Sequence, residues 1–447
     1  MAARRSRGSS RRQARSERCW RRCSPLAGAL TALAVVCCLL APAASASAAP
    51  SACFGQARLA AASLHQARLT VSTGGEKNLG DAVAISGDTA LVGAPLYPSD
   101  ARTGAAYVFV RSGGVWKLQK KLLAPDGAAG DEFGASVAVS GDTALVGASS
   151  HDVAGVSQAG AVYVFVRSSG VWKLRKKLTD SAPSAIGFFG DSVALYGDTA
   201  LVGVPGFDWL AGTDAGAACV YVRANGKWSL QQRLHADDLA PGDDFGGSVA
   251  LYGNTAVVGA PWHDIGFKTD AGAAYVFVRS HGVWKGQTPD LHAGDAATQD
   301  ELGFSVAVSG NTAVIGAPRH DSGGTADSGA AYVFVRSSAT WSQQAQLTAH
   351  DGNASDEAGY SVAVTGDRAL LGSPLNGMLH NGATYDFARS GVTWAQQRKL
   401  TAADYVLGAQ FGSSVALGGE TVLIGAPDWG PTLGNNLGAA YVFQPKH

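Results

Sequence analysis

Three histidine–aspartate pairs, His151-Asp152, His263-Asp264 and His320-Asp321, are the residues of this 447-residue chain best suited to chemistry. Asp208 stands at the same place in a fourth segment without a histidine, and a second acid follows at Asp214, Asp270 and Asp327. Acids also recur in pairs at Asp126 and Asp131, Asp238 and Asp243, Asp295 and Asp300, and Asp351 and Asp356. Carboxylates in such numbers could bind calcium, which takes six to eight oxygen ligands. An imidazole beside a carboxylate could serve as an oriented base. Against catalysis, neighbouring loop residues point apart, and no nucleophile motif of the G-x-S-x-G kind accompanies the pairs. Aspartates also recur where their side chains close turns. The sequence therefore assigns no catalytic residue, no metal ligand and no cofactor, with calcium kept as a candidate only.

Tryptophan divides into two groups. Trp116, Trp172, Trp228, Trp284, Trp341 and Trp394 recur at one spacing, as core-packing residues do. Trp209, Trp262 and Trp429 do not follow that spacing, and each lies in the long connection after the second strand-like run of its unit, beside an aspartate or one residue from it. Exposed aromatic anchors beside polar groups mark protein and sugar contacts. The expected ligand-binding residues are thus Trp209, Trp262 and Trp429 with Asp208, Asp264 and Asp321. The competing expectation for these tryptophans is loop-on-loop packing.

The elements that must position these residues are set by an internal repeat. Its first glycine falls at Gly80, Gly134, Gly190, Gly246, Gly303, Gly359 and Gly412, at steps of 53 to 57 residues. A period of this size signals a stacked or radial array. Each unit holds four short runs rich in Val, Leu, Tyr, Phe and Trp, which suits strands. In the second unit they span 136–140, 143–148, 160–167 and 171–178. The first two are joined by Gly141-Asp142, and a leading glycine in a two-residue loop is a tight-hairpin signal. Four antiparallel strands per unit, seven times, predict an all-β seven-bladed propeller. The small first strand fits the crowded axis, and the fourth, with Trp and the lysines Lys117, Lys120, Lys121, Lys173, Lys176 and Lys177, fits the rim. The last unit lacks a fourth run, and an unpaired run at 64–70 resembles one, so the N-terminal strand should complete the last blade. Because the first and third connections are tight, the long ones gather on one face.

The first fifty residues stand apart. Nine arginines precede an apolar run and then a small-residue stretch with A-x-A sites, the three parts of a secretory signal peptide. The run is too short and alanine-rich for a membrane span of about 20 residues. The expected organisation is a signal peptide at 1–48, a linker at 49–60 and the propeller at 61–447. The whole chain has 35 basic and 35 acidic residues; removing 1–48 takes nine arginines and one glutamate, leaving a net charge of −8. No basic footprint for nucleic acid survives. Of six cysteines only Cys53 and Cys219 lie beyond the leader, so no disulfide framework is expected.

The motifs Phe189-Gly190 with Gly203-Val204-Pro205, Phe245-Gly246 with Gly259-Ala260-Pro261, and Phe411-Gly412 with Gly425-Ala426-Pro427 resemble the FG-GAP repeat of integrin α-subunit propellers. The closer resemblance is to bacterial secreted FG-GAP proteins. It implies a secreted or cell-surface, monomeric binding or adhesion module that recognises an extracellular protein or carbohydrate. The calcium loops of integrins are not carried over, since Gly-Asp and Gly-Asn turns stand in their place. The alternative is a propeller enzyme, a hydrolase or lyase, acting at the central funnel.

Overall fold

The computed structural model describes residues 64–71, 78–97, 102–208, 214–404, 406–431 and 436–445. The expected signal peptide, the linker and Trp209 lie outside the described residues. Seven antiparallel sheets of four strands each make up the described chain. We number the blades 1 to 7 by their innermost strands, which begin at Val83, Ser136, Val193, Ser248, Ser305, Ser361 and Ser414. In blade 2 the strands run Ser136–Ser140, Thr143–Ala148, Ala161–Ser168 and Val171–Leu178, one residue from the expected bounds at the third. Blade 7 takes Leu64–Leu69 as its outer strand, beside Ala439–Pro445, so the two ends of the chain close the ring together.

Burial follows position in the blade. The second strand, Thr-Ala-Leu-Val-Gly-Ala in blade 2, is buried along its whole length because neighbouring blades cover both faces. The fourth strand buries its Trp and its final Leu and exposes most of the residues between them. The hairpin glycines Gly141, Gly253 and Gly310 have φ of 56°, 57° and 58°, which an L side chain adopts only at a cost.

Blades meet through backbone. A Cβ placed on Gly147 would lie 2.2 Å from Gly190 O of the next blade. Ser136 Oγ donates to that same carbonyl at 2.6 Å. Phe133, ahead of Gly134, is fully buried and meets Tyr163 edge-on at 5.3 Å.

On the face of tight turns, an arginine ties the third strand down in six blades, and Pro445 stands in its place in blade 7. Arg167 Nε donates to Asp142 Oδ1 at 2.6 Å, and its Nη1 reaches Thr89 Oγ1 of the preceding blade at 3.1 Å. The guanidinium lies over Trp172, 5.1 Å from the ring centroid. Trp172 is buried and donates from Nε1 to Gln119 of blade 1 at 2.8 Å. The repeated tryptophans thus join adjacent blades at the rim. Replacing Trp172 with Ala should destabilise the chain by about 3–5 kcal/mol, while Val171→Ala, at an exposed neighbour, should change it by less than about 0.5 kcal/mol. Chemical denaturation of both variants measures the difference; equal stabilities would mean that the outer strands do not bind the blades.

Candidate functional site

The long connections, between second and third strands and between blades, do gather on one face. There the histidine and aspartate of each sequence pair part company. His151 Nδ1 meets Asp131 Oδ2, twenty residues earlier, at 2.6 Å, and both residues are buried. His151 Nε2 faces Lys177 Nζ at 2.6 Å, and Lys177 also reaches Asp126 Oδ2 at 2.7 Å. Since an ammonium only donates, Nε2 accepts and Nδ1–H is the donor to Asp131. Tyr163 Oη donates to Asp126 Oδ1 at 2.7 Å. Lys177 is therefore a member of this network rather than a solubilising rim lysine, and Lys121 likewise packs its ammonium over Tyr97.

The aspartates of the pairs close their own loops. Asp152, Asp208, Asp264 and Asp321 accept the backbone N–H six residues on, from Gln158, Asp214, Asp270 and Asp327, at 2.8 to 3.0 Å. Each donor residue has φ between 49° and 56°, so the carboxylate fixes a left-handed turn. This is the turn-closing role, and it occupies one oxygen of Asp208, Asp264 and Asp321.

The buried network is solved afresh in each blade. In blade 5, His320 pairs with Asp300 at 3.1 Å and with Gln346 at 2.9 Å. In blade 6, Asn376 replaces the histidine and donates to Asp356 at 2.6 Å. Blade 3 exchanges every member: Phe207 for histidine, Cys219 for tyrosine, Arg233 for lysine, with Asp180 as the anion. Arg233 stacks over Phe207 at 4.2 Å and pairs with Asp180. Burial, with Asp180 nearby, pushes the Cys219 thiol up to about 12, so it behaves as a small buried hydrophobe. Interchangeable partners of this kind hold loops in place. Among the described residues, no group of three or more His, Cys, Asp or Glu side chains is arranged to hold a metal ion.

The expected tryptophan anchors do not form an exposed set. Trp262 is 8% exposed, packed within the face, which corrects its expected exposure. Its backbone N–H donates to Asp243 O of the preceding inter-blade loop at 3.4 Å, which sets the residue against that loop. Trp429 is half-buried, with the Arg68 guanidinium 4.3 Å above its ring. It holds the histidine position of blade 7, where Arg68 also pairs with Asp404.

Other aromatics are exposed here. Phe267, at the tip of the Ile265–Lys268 turn, is fully exposed at 105%. Nearer the axis, the residue following the Phe-Gly position precedes each innermost strand and so rings the mouth of the central channel. Around the ring stand Asp81, Ala135, Asp191, Gly247, Phe304, Tyr360 and Ser413. Phe304 and Tyr360 are half-buried, with ring centroids 4.9 Å apart and planes tilted by 50°. Across from them Asp81 is pushed up to about 7, by desolvation first and then by Glu132, Asp428 and Asp191. One arc of the mouth is aromatic and another acidic.

Burial pulls the His263 imidazole down, but its hydrogen bond and charge interaction with Asp243 outweigh this and raise it. For His320 the Asp300 hydrogen bond is the largest cause, again upward. A raised folded-state value means the folded chain holds the proton more tightly. The stabilisation is complete below the unfolded value of about 6.5 and is lost as pH rises through the folded value. The double variant His263→Gln, His320→Gln should therefore show a smaller fall in Tm between about pH 5.5 and pH 8.5 than the parent. Parallel Tm–pH curves for parent and variant would contradict this.

Comparison with curated proteins gives no match. Among the described residues, no helix is long and apolar enough to cross a membrane. The FG-GAP repeat model matches seven times, at residues 65–109, 116–165, 172–221, 228–277, 286–334, 341–387 and 394–443. Each match begins on the outer strand of one blade and ends on the third strand of the next, an offset that explains why the N-terminal strand must complete blade 7. Seven matches spread along most of its length make this chain a member of the FG-GAP repeat family.

Proposed function

We propose that this chain is a secreted or cell-surface binding module, without catalytic activity, whose ligand docks on the long-loop face around the channel mouth. The half-buried pair Phe304 and Tyr360, whose rings meet at a tilt of 50°, carries this reading. Five of the seven blades place no aromatic at that position, so no packing requirement of the repeat asks for one. Phe267 adds an exposed apolar contact further out on the same face. Flat aromatic surfaces with carboxylates across the mouth suit a sugar ring or a protein segment, since they give contact area at little entropic cost while the acids supply acceptors. Secretion is supported by the basic, apolar and small-residue order of the leader. The non-catalytic reading rests on the His–Asp contacts, whose partners change from blade to blade as loop supports do.

The test is binding of the purified chain to a glycan array and to a panel of extracellular proteins. Tyr360→Ala and Phe267→Ala should each reduce binding at least about tenfold, the scale of a lost aromatic contact, with Tm unchanged within a few degrees. Full binding by both variants would place the ligand elsewhere.

A further inference from the structure

On the tight-turn face six blades carry the arginine latch, with Pro445 standing in its place in blade 7, and the partner of the latch changes in blades 4 and 5. The arginine latch described for Arg167 has an aspartate partner in blades 1, 2, 3 and 6, at Asp88, Asp142, Asp198 and Asp367. In blades 4 and 5 that partner is a neutral amide: Arg279 Nε donates to Asn254 Oδ1 at 2.8 Å, and Arg336 to Asn311 Oδ1 at 3.0 Å. Among the described residues neither guanidinium has a carboxylate partner. The latch geometry is intact, including the reach to Thr199 and Thr255 of the preceding blades at 3.1 Å, but two positive charges are left without an anion.

A second change falls in the same two blades. At three of the other five junctions a hydroxyl ending one innermost strand accepts the turn glycine N–H of the next blade: Ser86 from Gly141, Ser140 from Gly197, Ser309 from Gly366. Ahead of Gly253 and Gly310 the serine is replaced by Tyr196 and Tyr252, and neither glycine N–H makes that bond. The two tyrosines are 44% and 41% exposed, with centroids 5.0 Å apart.

Both changes meet at an open pocket of about 390 Å³, lined by Arg279, Arg336, Asn254, Asn311, Tyr252 and the Gly310 turn, and by no carboxylate. Guanidinium forks match oxyanions in geometry as well as in charge. Each asparagine, with Oδ1 turned to its arginine, keeps Nδ2 as a donor that an aspartate would lack. An exposed tyrosine at the pocket wall offers a flat apolar surface with a polar tip. We infer that this pocket binds the oxyanion, carboxylate or sulfate, of an acidic saccharide, whose sugar ring lies against Tyr252. The site is on the opposite face from the ligand surface proposed above and is independent of it.

The test uses the full chain in calorimetric titrations with tetragalacturonate, its methyl ester, and a κ-carrageenan tetrasaccharide. One of the two anionic probes should bind, identifying carboxylate or sulfate as the preferred group. If tetragalacturonate is that probe, its methyl ester should bind at least tenfold more weakly. Affinity should fall as salt is raised. The double variant Asn254→Asp, Asn311→Asp restores the residue type of four other blades, so it should keep the parental Tm while losing at least tenfold in affinity. Tyr360→Ala should bind these probes as the parent does. The inference is overturned if neither anionic probe binds, if the methyl ester matches tetragalacturonate, or if the aspartate variant binds like the parent.

Discussion

The ring depends on one contact, repeated at every blade junction, in which backbone lies against backbone with no room for a side chain. A Cβ on Gly93, Gly147, Gly203, Gly259, Gly316, Gly372 or Gly425 would stand 1.9 to 2.2 Å from the carbonyl oxygen of a glycine in the next blade. Real contacts of that length do not exist, so these positions must be glycine. The receiving glycine, as at Gly134 with φ of 104°, is excluded from side chains for a separate reason. In six junctions a serine hydroxyl then caps the shared carbonyl, as Ser305 Oγ does for Gly359 O at 2.8 Å. The Phe-Gly and Gly-Ala-Pro motifs are the sequence trace of this contact, with the buried aromatic or aliphatic residue ahead of the glycine filling the wedge between blades.

A frame so closely specified leaves function to the positions where blades differ. Some differences are coupled and internal. Blade 3 changes the histidine, tyrosine, lysine and aspartate positions together, and Arg233 lies between Phe207 and Asp180, stacked on the one and paired with the other. Those differences preserve the fold. Others are local departures from the repeat: an aromatic pair at one mouth of the channel, and two arginines with amide rather than carboxylate partners at the opposite face. Departure at a surface position is a better guide to ligands than the presence of a chemically capable residue.

Much of the fold was legible because hairpin glycines, strand alternation and the repeat period are local signals. Gly141-Asp142 formed the expected turn, Trp172 the expected rim contact, and 64–69 the expected closing strand. The turn-closing role of Asp264 was also readable, since it involves a partner six residues away. The partner of His263 was not: Asp243 belongs to the preceding loop, and only the stacked loops bring the two together. Trp262 escaped for a related reason, because loops that look exposed one at a time crowd one another around a ring. Phe304 and Tyr360 depart from the small or acidic residues that follow the Phe-Gly position in the other blades, but nothing local in the sequence marks that position as the channel mouth. The pocket at Arg279 and Arg336 was missed because Asn254 and Asn311 look like harmless variants of a turn aspartate until the arginine partner is seen.

The blade-junction contact is tested most directly by thermal unfolding of Gly316→Ala beside Gly286→Ala. Gly316 is not in the left-handed region, so alanine there probes space alone, and its Cβ would meet Gly359 O at 2.0 Å. Gly286 is an exposed outer-strand position whose nearest neighbour, the Phe277 ring, would be 3.7 Å away. The first variant should lose at least about 2 kcal/mol or fail to unfold cooperatively, and the second should stay within about 0.5 kcal/mol of the parent. A Gly316→Ala chain as stable as the parent would mean that the blades are not held backbone to backbone.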